Sequence, residues 1–340
     1  MSLSDLATSD ALRRLRWLVA AAVIATFLLI VAGGVVRVGD AGLGCGPPGS
    51  GLRGWPLCHG RLVPTGHAHT VIEYTHRFLA TVVVILLAAI LWQVLRRFRG
   101  ERPLVCGAIA AMLLVIVQAV LGGLTVEHGL RTALVAAHLG TAMLLLGTLI
   151  GLYAATRPRR AALAVKRPLR AVAAVACGLL LATIVAGGVI AGTEHHGTSG
   201  GETAEGAHLA CGREFPTCNG SFLPYGRNEM VDIQLVHRTL MFLTVAAIAA
   251  LALLLRRRRV TGPLPLVVGA VLAVQVLLGA MNVWLGEHGA LVVAHLAVAT
   301  LLWVLVAGVM AALTSLGTAP LEAATICSGR GAGQERSCLP

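Results

Sequence analysis

The residues best suited to chemistry sit at the start of an apolar run, over residues 72–80, in the string I-E-Y-T-H-R-F-L-A. Glu73 lies three positions before His76, and Arg77 follows at once. On a helix three positions is close to one turn, so carboxylate and imidazole share a face. A near copy follows downstream as I-Q-L-V-H-R-T-L-M, with His237 and Arg238 kept and Gln234 in place of the carboxylate. A second pair of histidines is spaced alike. Gln118 precedes Gly122 by four residues and His138 by twenty, and Gln275 precedes Gly279 by four and His295 by twenty. Two imidazoles converging at one depth in a helical bundle could ligate both faces of a planar macrocycle. Bis-histidine haem ligation is therefore the natural candidate for His76 with His138 and for His237 with His295. Zinc would take more protein ligands in tetrahedral array. Glu73 then lies within reach of a molecule held at His76 and could move protons. Gln234 keeps the shape and the hydrogen bonding but does not titrate, as expected if only one of two sites does chemistry.

Positioning these side chains takes helices that cross a bilayer. The chain has 340 residues, 57% hydrophobic and 12% charged, with a formal net charge of +12. That hydropathy excludes an ordinary soluble domain and points to an all-α integral membrane protein. Eight spans of bilayer length are predicted, over about 17–37, 70–95, 104–125, 132–154, 171–192, 230–255, 264–285 and 290–314. The first is too long for a signal-peptide core. Basic clusters fall at every second connection: Arg13, Arg14 and Arg16; Arg96, Arg97, Arg99 and Arg102; Arg157, Arg159, Arg160, Lys166, Arg167 and Arg170; and Arg256 with the three arginines after it. This alternation marks cytoplasmic loops rather than a nucleic-acid stripe and places both termini in the cytoplasm.

The spacings above, together with Gly33-Gly34-Val35 answering Gly187-Gly188-Val189, divide the spans into two repeated four-helix bundles. The expected organisation is a cytoplasmic N-terminus (1–16), an N-terminal bundle (17–156), a cytoplasmic linker (157–170), a C-terminal bundle (171–315) and a disordered cytoplasmic tail (316–340). Two long outer connections, about 38–69 and 193–229, carry Cys45 with Cys58 and Cys211 with Cys218. The outer face is where disulfides persist, which favours one bridge within each loop, Cys45–Cys58 and Cys211–Cys218; a bridge between halves or a redox-active pair is the alternative. His59, His67, His69, His195, His196 and His208, also in these loops, read as solvated side chains. Glu127-His128 and Glu287-His288 sit in Glu-His-Gly turns of the short outer loops, with no role assigned. Arg77 and Arg238 are candidate partners for carboxylates such as haem propionates, or snorkel to the interface. Gln118 and Gln275 are expected to hydrogen-bond across helices.

Several strings together resemble the haem A synthase family of bacteria. They are Gly33-Gly34-Val35-Val36-Arg37, Ala41-Gly42-Leu43-Gly44-Cys45, Trp55-Pro56-Leu57-Cys58, Glu73-Tyr74-Thr75-His76-Arg77, and Cys211 followed by Pro216-Thr217-Cys218-Asn219-Gly220. The resemblance covers about residues 15–315. It implies oxidation of the C8 methyl of haem O to a formyl group, through successive hydroxylations, to give haem A for cytochrome oxidase. It further implies a haem b cofactor between His237 and His295, haem O received at His76 and His138, and Glu73 as the essential carboxylate. It places the chain in a bacterial cell membrane, with haem O synthase, cytochrome oxidase assembly factors and an electron donor as candidate partners. One departure is the stretch from Gly46 to Gly54, which separates Cys45 from the tryptophan-proline step that follows the first cysteine sooner in the family. The competing expectation is a bis-histidine electron-transfer cytochrome with no catalysis of its own. Glu73 discriminates between the two, because an electron carrier has little need of it.

Overall fold

A computed structural model describes residues 3–64, 66–157, 167–193, 206–257 and 262–315. Among them are eight helices: α1 (Leu3–Val38), α2 (Ala68–Arg97), α3 (Arg102–Glu127), α4 (Thr132–Ala155), α5 (Arg167–Thr193), α6 (Glu229–Arg257), α7 (Leu264–Trp284) and α8 (Gly289–Ser315). All eight are long and apolar enough to cross a membrane. The protein is a multi-pass, all-α membrane protein, as its hydropathy predicts. Most of these sequences are apolar on every side, which suits hydrocarbon on one face and a neighbouring helix on the other. In hydrocarbon each backbone must satisfy its own polar groups, and a helix does so.

The helix boundaries differ from the sequence reading in two places. α1 begins at Leu3 rather than near residue 17, because Ala, Leu and Arg are good helix formers and carry the helix past the apolar run. α5 begins at Arg167, so the last residues of the expected 157–170 linker are helical. Residues 158–166, residues 194–205 with His195 and His196, residues 258–261 and the tail 316–340 lie outside the described residues.

Helices α1 to α4 close a ring, each packing on the next and α4 returning to α1; α5 to α8 do the same in the same order. Between the rings, α4 packs on α8, flanked by α4 on α5 and α1 on α8. Exchanging the halves maps these last two contacts onto each other. Small residues let the rings approach. A Cβ at Gly34 would lie 2.7 Å from Leu296 Cδ2, and one at Gly188 would lie 3.1 Å from Leu139 Cδ2. Gly147 makes room for Trp303, whose indole N–H donates to the Met143 carbonyl at 2.9 Å. At one end of the interface Arg37 Nε donates to the Ala191 carbonyl at 2.9 Å and Thr132 Oγ1 to the Gly192 carbonyl at 2.7 Å, capping the end of α5.

The apolar core fills the end of each ring away from the disulfide loops. On α2 its first buried apolar residue is Val83, two turns past His76, followed by Leu87, Ile90 and Val94. On α6 Ile248, Leu251 and Leu255 join the corresponding cluster. A small separate cluster of Cys211, Cys218, Val231 and Leu235 lies on the loop side. In the second half the histidine level falls between these two packed layers.

Candidate functional site

The four histidines share one mode of support. A Cβ at Gly33 of α1 would lie 3.2 Å from His76 Cε1, and one at Gly122 of α3 would lie 3.4 Å from His138 Cε1. In the second half the distances are 3.2 Å from Gly187 of α5 to His237 Cε1 and 3.0 Å from Gly279 of α7 to His295 Cε1. Each imidazole thus lies flat against a helix backbone at a position where any side chain would push it away. His76 on α2 and His138 on α4 lie in the first ring, and His237 on α6 and His295 on α8 lie in the second.

Their hydrogen bonds differ. His237 Nδ1 meets the Thr183 carbonyl at 3.0 Å, one turn before Gly187. His76 lies against the Leu29 backbone, the position that answers Thr183, and the Nδ1 atoms of His138 and His295 are buried without a hydrogen-bond partner. Gln118 crosses to α4, donating to the His138 carbonyl at 2.8 Å and to Thr141 Oγ1 at 2.6 Å. Its counterpart Gln275 instead reaches the ring itself, with Nε2 3.2 Å from His295 Nε2.

Glu73 is buried, 3% exposed, one turn before His76. Its Oε2 accepts the Cys45 backbone N–H at 2.7 Å and its Oε1 pairs with Arg77. Arg77 also donates to the Gly54 and Leu57 carbonyls, at 2.6 and 2.9 Å. The carboxylate and guanidinium together pin the first disulfide loop to α2. Gln234 is equally buried, 4% exposed, but its amide donates to a loop carbonyl, that of His208, at 3.3 Å. A carboxylate can only accept and an amide can donate, so the change at this position is matched by a change of loop partner. Arg238 donates to the Thr217 and Glu214 carbonyls, at 2.7 and 2.9 Å. Both arginines are engaged by loop backbone, a partner the sequence reading did not consider.

Both loops close with their own disulfide, Cys45–Cys58 and Cys211–Cys218. The bridges span 13 and 7 positions, a difference of six, yet the loops superpose in function: Gly54 and Leu57 answer Glu214 and Thr217 as acceptors for the arginines. The extra residues of the first loop are extruded around a short 3-10 turn, Gly51–Arg53, with no buried residue. Trp55 packs on Gly123 of α3, where a Cβ would lie 3.1 Å from the indole. Phe215 meets Trp284, at the end of α7, edge to face at 6.3 Å.

One reading of the outer residues needs correction. His208 is half-buried, in the 3-10 turn Ala207–Leu209, rather than solvated; its Nδ1 faces Glu287 Oε1 at 4.0 Å. The two Glu-His-Gly strings are also not equivalent. The left-handed pair that ends α3 is Gly129 and Leu130, and the pair that ends α7 is Gly286 and Glu287. Leu130 and Glu287 each lie eight residues before a site histidine, so they correspond. His128 is exposed, its Nδ1 2.9 Å from the Leu124 carbonyl, and His288 is exposed. Glu127 Oε1 is buried without a hydrogen-bond partner.

Among the described residues no three His, Cys, Asp or Glu side chains converge as a metal site. What each half offers is two imidazoles, backed by glycine, on the loop side of its core. That donor set fits an iron porphyrin, which brings four equatorial nitrogens and needs two axial ligands. The glycine cradles are repeated at all four rings, so the fold reserves space for each imidazole.

The family model of the cytochrome oxidase assembly protein, COX15-CtaA, matches residues 15–307. A protein of Halalkalibacterium halodurans described as Heme A synthase is 31% identical over 209 residues, covering 59% of this chain and 63% of its own length. One of Alkalihalophilus pseudofirmus with the same description is 29% identical over 242 residues, 67% of this chain and 74% of its own. A third, from Bacillus licheniformis, is 28% identical over 239 residues, 67% and 71%.

Proposed function

This chain belongs to the COX15-CtaA family of cytochrome oxidase assembly proteins, and from that premise we propose that it makes haem A by oxidising the C8 methyl group of haem O to a formyl group. Relatives described as Heme A synthase support this reading. The observation that carries it is the asymmetry between otherwise matched halves. Both set two imidazoles on glycine, but the first buries a carboxylate one turn from its ligand, and the second has an amide there.

In this reading His76 and His138 hold the substrate haem O, and His237 and His295 hold a haem b cofactor. When bound, the iron porphyrins supply the oxidation and electron-transfer chemistry. The chain supplies placement and proton handling. Glu73, one turn before His76, holds and moves a proton at the substrate site, and Arg77 holds the carboxylate in one orientation. The Cys45–Cys58 and Cys211–Cys218 loops, pinned by Arg77 and Arg238, cover the two sites and keep bulk water from them. The basic clusters before the apolar run of α1 and at the α2–α3, α4–α5 and α6–α7 connections support a cytoplasmic location for that side of the protein in a bacterial cell. Haem O synthase and cytochrome oxidase assembly factors are the partners this reading implies.

The test is chromatography of haems extracted from cells that make haem O, with and without this protein. Haem A appearing only with the protein is the expected result. Unchanged haem O, together with a b-type spectrum on the purified protein, would replace the enzyme with an electron-carrying cytochrome.

A further inference from the structure

One contact is made in both halves with different chemistry. It joins the residue three before the first loop cysteine to the residue eight before the second histidine. In the first half these are Gly42 and Leu130; a Cβ on the glycine would lie 3.1 Å from both Leu130 methyls. In the second half they are His208 and Glu287, 4.0 Å apart between Nδ1 and Oε1. His208 is firmly set. Its carbonyl accepts from Gln234, the neighbouring Ala207 N–H donates to Thr193 Oγ1 at 2.9 Å, and the Cys211–Cys218 bridge follows within three residues. Its carbonyl partner Gln234 lies one turn before His237, and its ring partner Glu287 lies eight residues before His295. Arg213 folds over the same turn, its Nη2 3.0 Å from where a Gly286 Cβ would stand. Arg238 is meanwhile engaged by loop carbonyls.

We propose that His208, braced by Glu287 and Gln234, binds a carboxylate on the rim of the planar ligand held between His237 and His295. The second half thereby retains its haem, while the first, with Gly42 and Leu130 in the same places, lets its haem exchange. The inference rests on the haem reading above and gives the asymmetry a purpose. A cofactor has to stay through many turnovers, and a substrate site has to release its product. A charge-assisted N–H donor to carboxylate in a half-buried site slows ligand loss by about tenfold to a hundredfold.

The experiment uses the full chain in detergent, with His76→Ala so that only the second-half haem is read. The chain is loaded with protohaem or with its dimethyl ester, whose rim carboxylates are blocked. Transfer to excess apomyoglobin is followed through the bis-imidazole absorption band. With His208 intact the ester should leave roughly ten to a hundred times faster than the free acid. His208→Ala should bring the free acid up to the ester's rate and abolish the difference. Glu287→Gln should narrow it, and His208→Gln, which keeps a donor, should restore part of it. These last two read the same difference should the alanine variant not assemble. An acid–ester difference that survives loss of His208, or that is absent while His208 is intact, overturns the proposal alone. Failure of the His76→Ala chain to form any bis-imidazole band overturns the haem reading and this inference with it.

Discussion

Replacing Gly279 with alanine sets two effects of opposite sign against each other. The new Cβ would lie 3.0 Å from His295 Cε1, where unstrained carbons stay about 3.5–4.0 Å apart. The ring or α7 must therefore yield by a few tenths of an ångström. Overpacking of this kind costs about 1–3 kcal/mol. If the strain falls on the liganded ring, haem affinity drops by about fivefold to 150-fold. Alanine over glycine in a helix interior meanwhile favours the fold by about 1 kcal/mol. The variant should then unfold at no lower a temperature than the parent as apoprotein, yet carry less haem. Gly269, on the same helix, has nothing within 4 Å of its would-be Cβ, so Gly269→Ala should show the helix gain without the haem loss. Gly187→Ala, 3.2 Å from His237 Cε1, should fall between. The assay is haem titration of purified protein by the bis-imidazole band, alongside thermal unfolding of the same samples. Normal haem affinity in Gly279→Ala, or an equal loss in Gly269→Ala, would refute the view that these glycines exist to seat the imidazoles.

Other perturbations follow from the same geometry. Glu73→Gln keeps an acceptor for the Cys45 N–H but loses the ion pair with Arg77; haem A should vanish from extracts while both haems still bind, and normal haem A would sink the proton role. Arg77→Ala leaves Glu73 buried without its cation and releases the Gly54 and Leu57 carbonyls. A loss of about 3–5 kcal/mol is expected, seen as a large drop in thermal stability in detergent. Arg77→Lys should not recover it, since an ammonium lacks the fork that spans three acceptors. Cys211→Ser opens the shorter loop and should cost about 2–3 kcal/mol, measured as a lower unfolding temperature, and a thiol reductant, which also opens Cys45–Cys58, should lower the parent further. Trp303→Phe removes the buried bond to the Met143 carbonyl and should cost about 1–3 kcal/mol, measured as a lower unfolding temperature with the haem spectrum unchanged.

Hydropathy made the eight spans legible because the bilayer imposes one length and one polarity on each. The histidine pairs were legible because a repeat preserves spacing across a span and a loop, as between Gln118 and His138 and between Gln275 and His295. The exchange of Glu73 for Gln234 stood out for the same reason. Loop residues carry no such period. Whether His208 is solvated or buried depends on how the Cys211–Cys218 loop docks, a tertiary fact with no local pattern. The Glu-His-Gly strings show a likeness that the fold does not follow. Their likeness is real, but the backbone turn is set by its left-handed pair, and that pair aligns Leu130, not His128, with the second-half turn. The arginines beside His76 and His237 read as anion partners or as snorkelling groups because a sequence shows charges and hides carbonyls; in the structure loop carbonyls accept from both.

The consecutive glycines on α1 and α5 divide their duties between the halves. Gly33 backs His76, and Gly34, one peptide later, receives Leu296, the neighbour of His295; Gly187 backs His237, and Gly188 receives Leu139, the neighbour of His138. Each site's wall is thus built one residue from the other site's ligand. Such an arrangement ties the two binding equilibria by thermodynamic linkage. Any factor by which a filled second half changes affinity in the first must equal the factor by which the first changes the second. A change in how one half seats its ring on α1 or α5 would reach the other half through these glycine contacts, and any coupling that results must be equal in both directions.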